Sequence, residues 1–236
     1  MHSFCFSKSL LAVNQYKDHR GKSDSKMLRV KPNPKQQRYI EHLSDERSSL
    51  VFGYGPAGTG KTLFACKVGM DKLLNDEVSK LIITRPTVSL GSEMGYLPGS
   101  IDEKMNPWMI PIYDSFLEQI DKKTLNQYLY NEIIEICPLA YVRGRTFKHA
   151  YVIADEMQNA TPSEMKTLLT RVGKLSKIVI TGDLRQSDIH GKNGLDDILT
   201  KLKEKEYNME LINTIEFDVC DVERSELVRE VLRLYD

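Results

Sequence analysis

The sequence holds little that would supply stability or partners by simple means. Its four cysteines, Cys5, Cys66, Cys137 and Cys220, lie far apart, with no CxxC pair and no nearby histidine. That spacing excludes a disulfide framework and argues against a zinc site, and it suits a reducing compartment. No apolar run approaches 18 residues, and the stretch "FCFSKSLLAV" is broken by Lys8 and lacks a basic leader and a small-residue cleavage site. The expectation is therefore a soluble, cytoplasmic protein without a membrane partner. There is no internal repeat or low-complexity block. Net charge is also absent overall, with 33 Lys/Arg against 33 Asp/Glu. The balance is uneven, however: residues 1–40 carry nine Lys/Arg against Asp18 and Asp24, which leaves −7 on the rest. A basic end of this kind either touches an anionic partner or is a solvated tail.

A chain of 236 residues is ordinary for one α/β domain, and folding buries roughly 70–75% of its unfolded surface. "KPNPK" (31–35) precedes a helix-like segment "QQRYIEHL", so the domain is expected over 31–236 after a basic, flexible extension over 1–30. Apolar runs at 50–54, 80–84, 150–154 and 177–181 alternate with helical stretches at 61–75, 161–172 and 194–205. Further strands are expected within 132–137 and 209–217, and a last helix at 223–235. Strands with near-continuous apolar character are buried on both faces, so the pattern predicts a mostly parallel sheet flanked by helices.

"GPAGTGKT" (55–62) follows the first strand and opens a helix, the context in which G-x-x-x-x-G-K-T binds phosphates. Glycines at 55, 58 and 60 let backbone N–H groups turn toward an anion, and the helix N-terminus adds partial positive charge. The expected nucleotide contacts are Gly55, Pro56, Ala57, Gly58, Thr59, Gly60, Lys61 and Thr62. Lys61 reaches the terminal phosphates, and the Thr62 hydroxyl binds Mg²⁺. The second metal-side group is Asp155, at the end of "YVIA" in "YVIADEMQNATP". Glu156 is then placed to activate water, which favours hydrolysis over transfer to a small substrate. Thr161, Pro162 and Glu164 instead read as a helix cap.

These segments together resemble the PhoH-like (phosphate-starvation-inducible) P-loop ATPase family, related to the superfamily 1 helicase core. The resemblance runs from about Pro32 to the C-terminus through "FGYGPAGTGKT", "TRPTV", "GYLPGSIDEKMNPW", "PLAYVRGRTF", "VIADEMQN", "MKTLLTRVG" and "ITGDLRQ". Departures are confined to the first thirty residues, to Ala154 and Met157, and to the "GK" of "HGKNGLDD". It implies a three-layer RecA-like P-loop NTPase using ATP and Mg²⁺. It implies that Gln186, with Asp183, senses the γ-phosphate, that Gln158 links the nucleotide site to this sensor, and that Gln36 or Gln37 reads adenine.

RNA or single-stranded nucleic acid is the implied partner, with Arg85, Arg143, Arg145 and Arg171 in nucleic-acid or subunit contact, or else ordinary surface arginines. Thr84 and Thr87 are candidates for phosphate contact. Tyr96, Trp108 and Phe147 are either base platforms or core. No second RecA-like domain and no PIN-type nuclease segment are expected. Self-association as a hexameric ring is therefore expected, with Arg224 completing the neighbour's site and Arg145 and Arg171 as lesser candidates. A slow ATP-binding switch or scaffold remains open, as does a small-molecule kinase with "GYLPGSIDEKMNPW" as its lid.

Overall fold

The computed structural model describes residues 31–86, 101–189, 191–205 and 210–222. The basic extension, the segment around Tyr96, and the predicted last helix with Arg224 lie outside them.

Six strands form one sheet: β1 (Leu50–Tyr54), β2 (Lys80–Thr84), β3 (Ile134–Ile136), β4 (Ala150–Ala154), β5 (Lys177–Gly182) and β6 (Ile212–Glu216). Their order is β3-β2-β4-β5-β1-β6, and every pairing is parallel. The four strands expected from continuous apolar runs keep their bounds to within a residue. The two edge strands are shorter than the segments expected for them, because only one neighbour holds each.

The helices are α1 (Pro34–Ser44), α2 (Lys61–Leu74), α3 (Ile101–Leu117), α4 (Lys122–Tyr130), α5 (Pro162–Leu169) and α6 (Gly194–Glu204). Helix α1 starts where Asn33 caps it reciprocally with Gln36, with Pro34 at the first turn. Thr161 and Glu164 form the same box at α5, as the sequence pattern predicts. That helix ends at Leu169 rather than 172. Helices α3 and α4 had no clear signal, since α3 carries Pro107 and Pro111 inside its span and proline normally argues against a helix interior.

Strand alternation sends side chains to two faces. Phe52, Ile82, Val152, Ile178 and Ile180 pack with Met165, Leu168, Leu195 and Leu199 of α5 and α6. On the other face Tyr39 of α1 lies against Gly53, and Gly69 of α2 lies against Leu81 and Tyr151. Helix α3 packs on α2. The result is helix, sheet and helix in three layers, the RecA-like architecture.

Two details of this core are unusual. Gly55, just past β1, has φ +133, and a Cβ there would lie 2.2 Å from the Phe217 carbonyl oxygen. Phe217 itself donates its N–H to Tyr54 O at 2.7 Å, so the end of β6 is held against the P-loop and cannot retreat. The second detail is Lys177, at the start of β5. Its ammonium donates to the carbonyls of His42, in the last turn of α1, and of Asp45, its C-cap, at 2.9 and 2.8 Å. Lys72 donates to Ser44 O beside it at 3.3 Å. Burial pushes the Lys177 ammonium down to about 7, assisted by Lys72 and opposed by Asp45. Isoleucine and valine neighbours in the same strand, each worth roughly 1.5–3 kcal/mol on burial, carry the cost.

Two outcomes are expected. Between pH 7 and the ordinary lysine value of 10.5, the unfolded chain holds a proton on Lys177 that the folded chain has released. Stability therefore rises with pH in that window, by up to about 1.4 kcal/mol per unit. Urea unfolding at pH 7.5 and 9.5 should show that slope in the wild type and lose it in Lys177→Met. Gly55→Ala should destabilise by about 3 kcal/mol or more, since strained φ and a backbone clash add; thermal unfolding measures it.

Candidate nucleotide site

Parallel pairing carries the ends of β1, β4 and β5 to one edge of the sheet, where open α/β folds bind ligands. Strand β5 lies between β1 and β4, with Ile180 opposite Ala154 and Gly182 opposite Tyr54. The P-loop, the acidic pair and the sensor segment thus emerge side by side.

The P-loop itself is built by left-handed glycines, Gly58 at φ 82 and Gly60 at φ 83. Gly60 is the N-cap of α2 and offers no side-chain cap to the first-turn N–H groups. Those donors and the positive end of the helix are left to an incoming anion. Lys61, mostly buried, donates to the Gly55 and Pro56 carbonyls at 2.7 Å and to Thr59 Oγ1 at 3.3 Å. Burial lowers its pKa, while Asp183, Glu156 and Asp155 pull it back up.

Asp155 is buried at the end of β4. One carboxylate oxygen accepts two hydroxyls, Thr62 Oγ1 at 2.7 Å and Thr181 Oγ1 at 2.5 Å. Thr62 and Asp155 are therefore together, as a hard divalent cation requires of its oxygen ligands. Thr181 was not singled out from the sequence; a threonine inside an apolar strand carries no signal until its neighbour is known.

Glu156 adopts a left-handed conformation, φ 53. For a residue other than glycine this costs of order 1–3 kcal/mol and needs surrounding support. Gln158, 1% exposed, supplies it. Its Nε2 donates to Glu156 Oε2 at 2.5 Å and to Gln186 O at 3.3 Å, and its Oε1 accepts from the Asp183 N–H at 3.0 Å. Gln158 thus joins the acidic pair to the 183–186 segment by direct hydrogen bonds. The Gln186 side chain is exposed and lines the cleft together with Lys61, Thr62, Asp155, Glu156 and Asp183. Ala57, Gly58 and Gly60 complete its P-loop wall. Thr59 is turned inward, its hydroxyl donating to Pro56 O at 3.0 Å.

The remaining candidates are distributed as follows. Gln36 is buried, donating to Thr59 O at 3.2 Å and accepting from the Asn33 N–H at 2.8 Å, whereas Gln37 is exposed beside Glu41. Of the adjacent pair, Gln36 is thus the one that touches the P-loop. Arg85 lies over the Trp108 ring at 5.7 Å. Arg143 is exposed on the 143–146 loop. Arg145 makes a two-pronged ion pair with Glu135 at 2.5 and 3.0 Å, and this raises its pKa. Arg171 donates to Thr167 O and Arg145 O, both at 3.1 Å. Both side chains are engaged within the fold. Phe147 is core, 2% exposed, under the Arg145 guanidinium. Thr84 is wholly buried, so its hydroxyl has no access to a ligand. Met157, without a role in the sequence reading, fills the α5–α6 core.

The model of the family described as PhoH-like protein matches residues 29–236. The chain is 42% identical over 220 residues to a PhoH-like protein of Bacillus subtilis (strain 168), covering 93% of this chain and 66% of that one. Against a PhoH-like protein of Synechocystis it is 39% identical over 204 residues, covering 86% and 60%. Against Protein PhoH of Escherichia coli (strain K12) it is 35% identical over 207 residues, covering 86% and 57%. The chain thus spans roughly three fifths of the length of these curated relatives. Among solved structures, a Pif1 helicase from Candida albicans superposes with TM-score 0.41 at 15% identity, covering 88% of this chain and 44% of that one. A family match over nearly the whole chain, falling on a P-loop whose acidic and sensor partners converge in space, establishes that this chain belongs to the PhoH-like protein family as a P-loop NTPase.

Proposed function

We propose that the protein is a Mg²⁺-dependent ATPase that hydrolyses ATP to ADP and phosphate. Its energy acts on RNA or single-stranded nucleic acid, by unwinding or remodelling, within a self-associated ring, taken as a hexamer. The observation that carries the ATPase reading is Glu156: a carboxylate on the cleft wall, held by Gln158 beside Asp155 and in the field of Lys61.

The donor set fits the nucleotide and metal. Glycine N–H groups and the α2 N-terminus suit phosphate oxygens, and a hydroxyl and carboxylate on one spot suit Mg²⁺. When bound, Mg²⁺–ATP supplies the scissile phosphoanhydride and the cation that neutralises its oxygens. Lys61 leaves its carbonyl partners to pair with phosphate. Thr62 and Asp155 hold the metal side, with Thr181 fixing the Asp155 carboxylate. Glu156 accepts the proton of the attacking water, and the Gln186 amide orients that water and registers the γ-phosphate. Gln36 stands behind Thr59, on the side assigned to adenine by resemblance.

Ring assembly is supported by charge. Among the described residues no arginine lines the cleft, while phosphoryl transfer gains about 10³–10⁵ from an arginine supplied in trans. Arg224 remains the assigned donor, since Arg145 and Arg171 are engaged within the fold. Nucleic acid is supported by the family resemblance, with the exposed Arg143 and Arg85 as the candidate backbone contacts. A cytoplasmic location is supported by Cys66, Cys137 and Cys220 being free thiols. No helix among the described residues is long and apolar enough to cross a membrane.

Lys61→Ala and Glu156→Gln should each lower hydrolysis by about 10²-fold or more. Glu156→Gln should keep ATP affinity and Lys61→Ala should lose it; fluorescent-nucleotide titration with phosphate release separates the two. Wild-type hydrolysis in both variants would remove the site assignment. RNA or single-stranded DNA should raise the rate, and sedimentation with ATP and Mg²⁺ should show a ring. Slow turnover indifferent to nucleic acid would instead indicate a switch, and phosphate appearing on a metabolite a kinase.

A further inference from the structure

Asn159 and Asp188 form a reciprocal pair. Asn159 Nδ2 donates to Asp188 Oδ2 at 3.0 Å, and the Asp188 backbone N–H donates to Asn159 Oδ1 at 2.8 Å. One planar amide thus holds both the side chain and the main chain of a residue 29 positions away. Asn159 is 8% exposed, so its two bonds are made where few waters compete. Asp188, by contrast, is exposed. Nothing in the packing requires a carboxylate at that place, and its partner is what keeps it in position.

The segment held this way contains Gln186. Its start is pinned by the Asp183 N–H donating to Gln158 Oε1, and its middle by Gln158 Nε2 donating to Gln186 O and Ser187 Oγ donating to Gln158 O at 3.0 Å. The Asn159–Asp188 pair closes the far end. Without it, the one remaining hydrogen bond from residues 187–189 to the acidic turn, among the described residues, is that of Ser187. The turn that carries Asn159 is in turn anchored, by the Asn159 N–H to Glu156 O at 3.0 Å and the Gly194 N–H to Ala160 O at 2.7 Å at the start of α6. The rigid element is the acidic turn, and the exposed sensor segment is fastened to it.

We infer that Asn159 is a positioning residue: through Asp188 it locks the segment bearing Gln186 to the turn bearing Glu156, so that both cleft-lining side chains keep one spacing. This rests on the ATPase reading of the site, and it assigns Asn159 and Asp188 no contact with nucleotide. Displacements of about 1 Å in groups that orient a reactant cost up to 10²-fold in rate. Loss of the lock therefore falls on turnover and not on nucleotide binding.

The geometry admits a charge-swap test in the full chain. In Asn159→Asp two carboxylates face each other and one donor is gone. In Asn159→Asp with Asp188→Asn, the backbone N–H of residue 188 still donates to the residue-159 side chain and the new amide donates across the pair, so the main-chain bond is kept and the side-chain bond is restored in reverse. Measured quantities are kcat and KM for Mg²⁺–ATP, Kd for a fluorescent ADP, and Tm. Expected are a fall in kcat of about tenfold or more for Asn159→Asp and Asn159→Ala with ADP affinity within about twofold, and recovery of kcat to within about threefold in the swap. The inference is overturned if either single variant turns over at the wild-type rate. It is overturned equally if ADP affinity falls with kcat, or if the swap restores Tm without restoring kcat. Failure of the ATPase reading looks different: the wild type would then release no phosphate above the Lys61→Ala background.

Discussion

The position of β5 between β1 and β4 is the constraint on which the site depends. Parallel register places Ile180 opposite Ala154, so the next residues along, Thr181 and Asp155, meet as hydroxyl and carboxylate. The same strand ties to the other side through the Gly55 N–H and Gly182 O. It holds the P-loop strand and the acidic strand two strand spacings apart, about 10 Å, and bonds to the segment following each. The apolar runs that bury β1, β4 and β5 on both faces are thus what brings metal-side and phosphate-side groups to one edge.

Over that edge lies a polar network whose members are nearly all satisfied by one another. Gln158 engages both ends of its amide with three groups, and Asn159 both ends with two. Inside a protein such bonds are strengthened by low dielectric, and any unpaired member costs about 1–3 kcal/mol. That is why the left-handed Glu156 persists: its strain is offset by a network that would lose several partners if the turn relaxed. Rigidity here is distributed across two consecutive amides, one facing the cleft wall and one facing the sensor segment.

Away from the cleft, charge serves architecture. Arg145 is bound to Glu135 on the edge strand, alongside Lys80, and Lys177 and Lys72 cap the carboxyl end of α1. Helix α1 is thereby fixed at both ends, since Gln36 in its first turn touches the P-loop and Phe217 packs edge-on against Tyr39. A basic residue in this sequence is consequently a poor guide to an anionic partner. Its neighbours decide whether it faces solvent, a carboxylate or a helix end.

Local pattern alone was enough for the P-loop, the four interior strands, the caps of α5 and the candidates Lys61, Thr62, Asp155 and Glu156 that line one cleft, because each rests on contiguous residues with one periodicity or one turn. Helices α3 and α4 were not legible, with prolines inside the first and a span of only nine residues in the second. Nor were Thr181, Asn159 and Asp188, whose meaning depends on partners 26 to 29 residues away. Choosing between Gln36 and Gln37 likewise needed the helix to be docked, since adjacent residues on a helix point about 100° apart. Short-range chemistry, in other words, was set by the chain itself. Which polar groups share a hydrogen bond, and which arginines are free, was decided only when parallel pairing brought distant strand ends together.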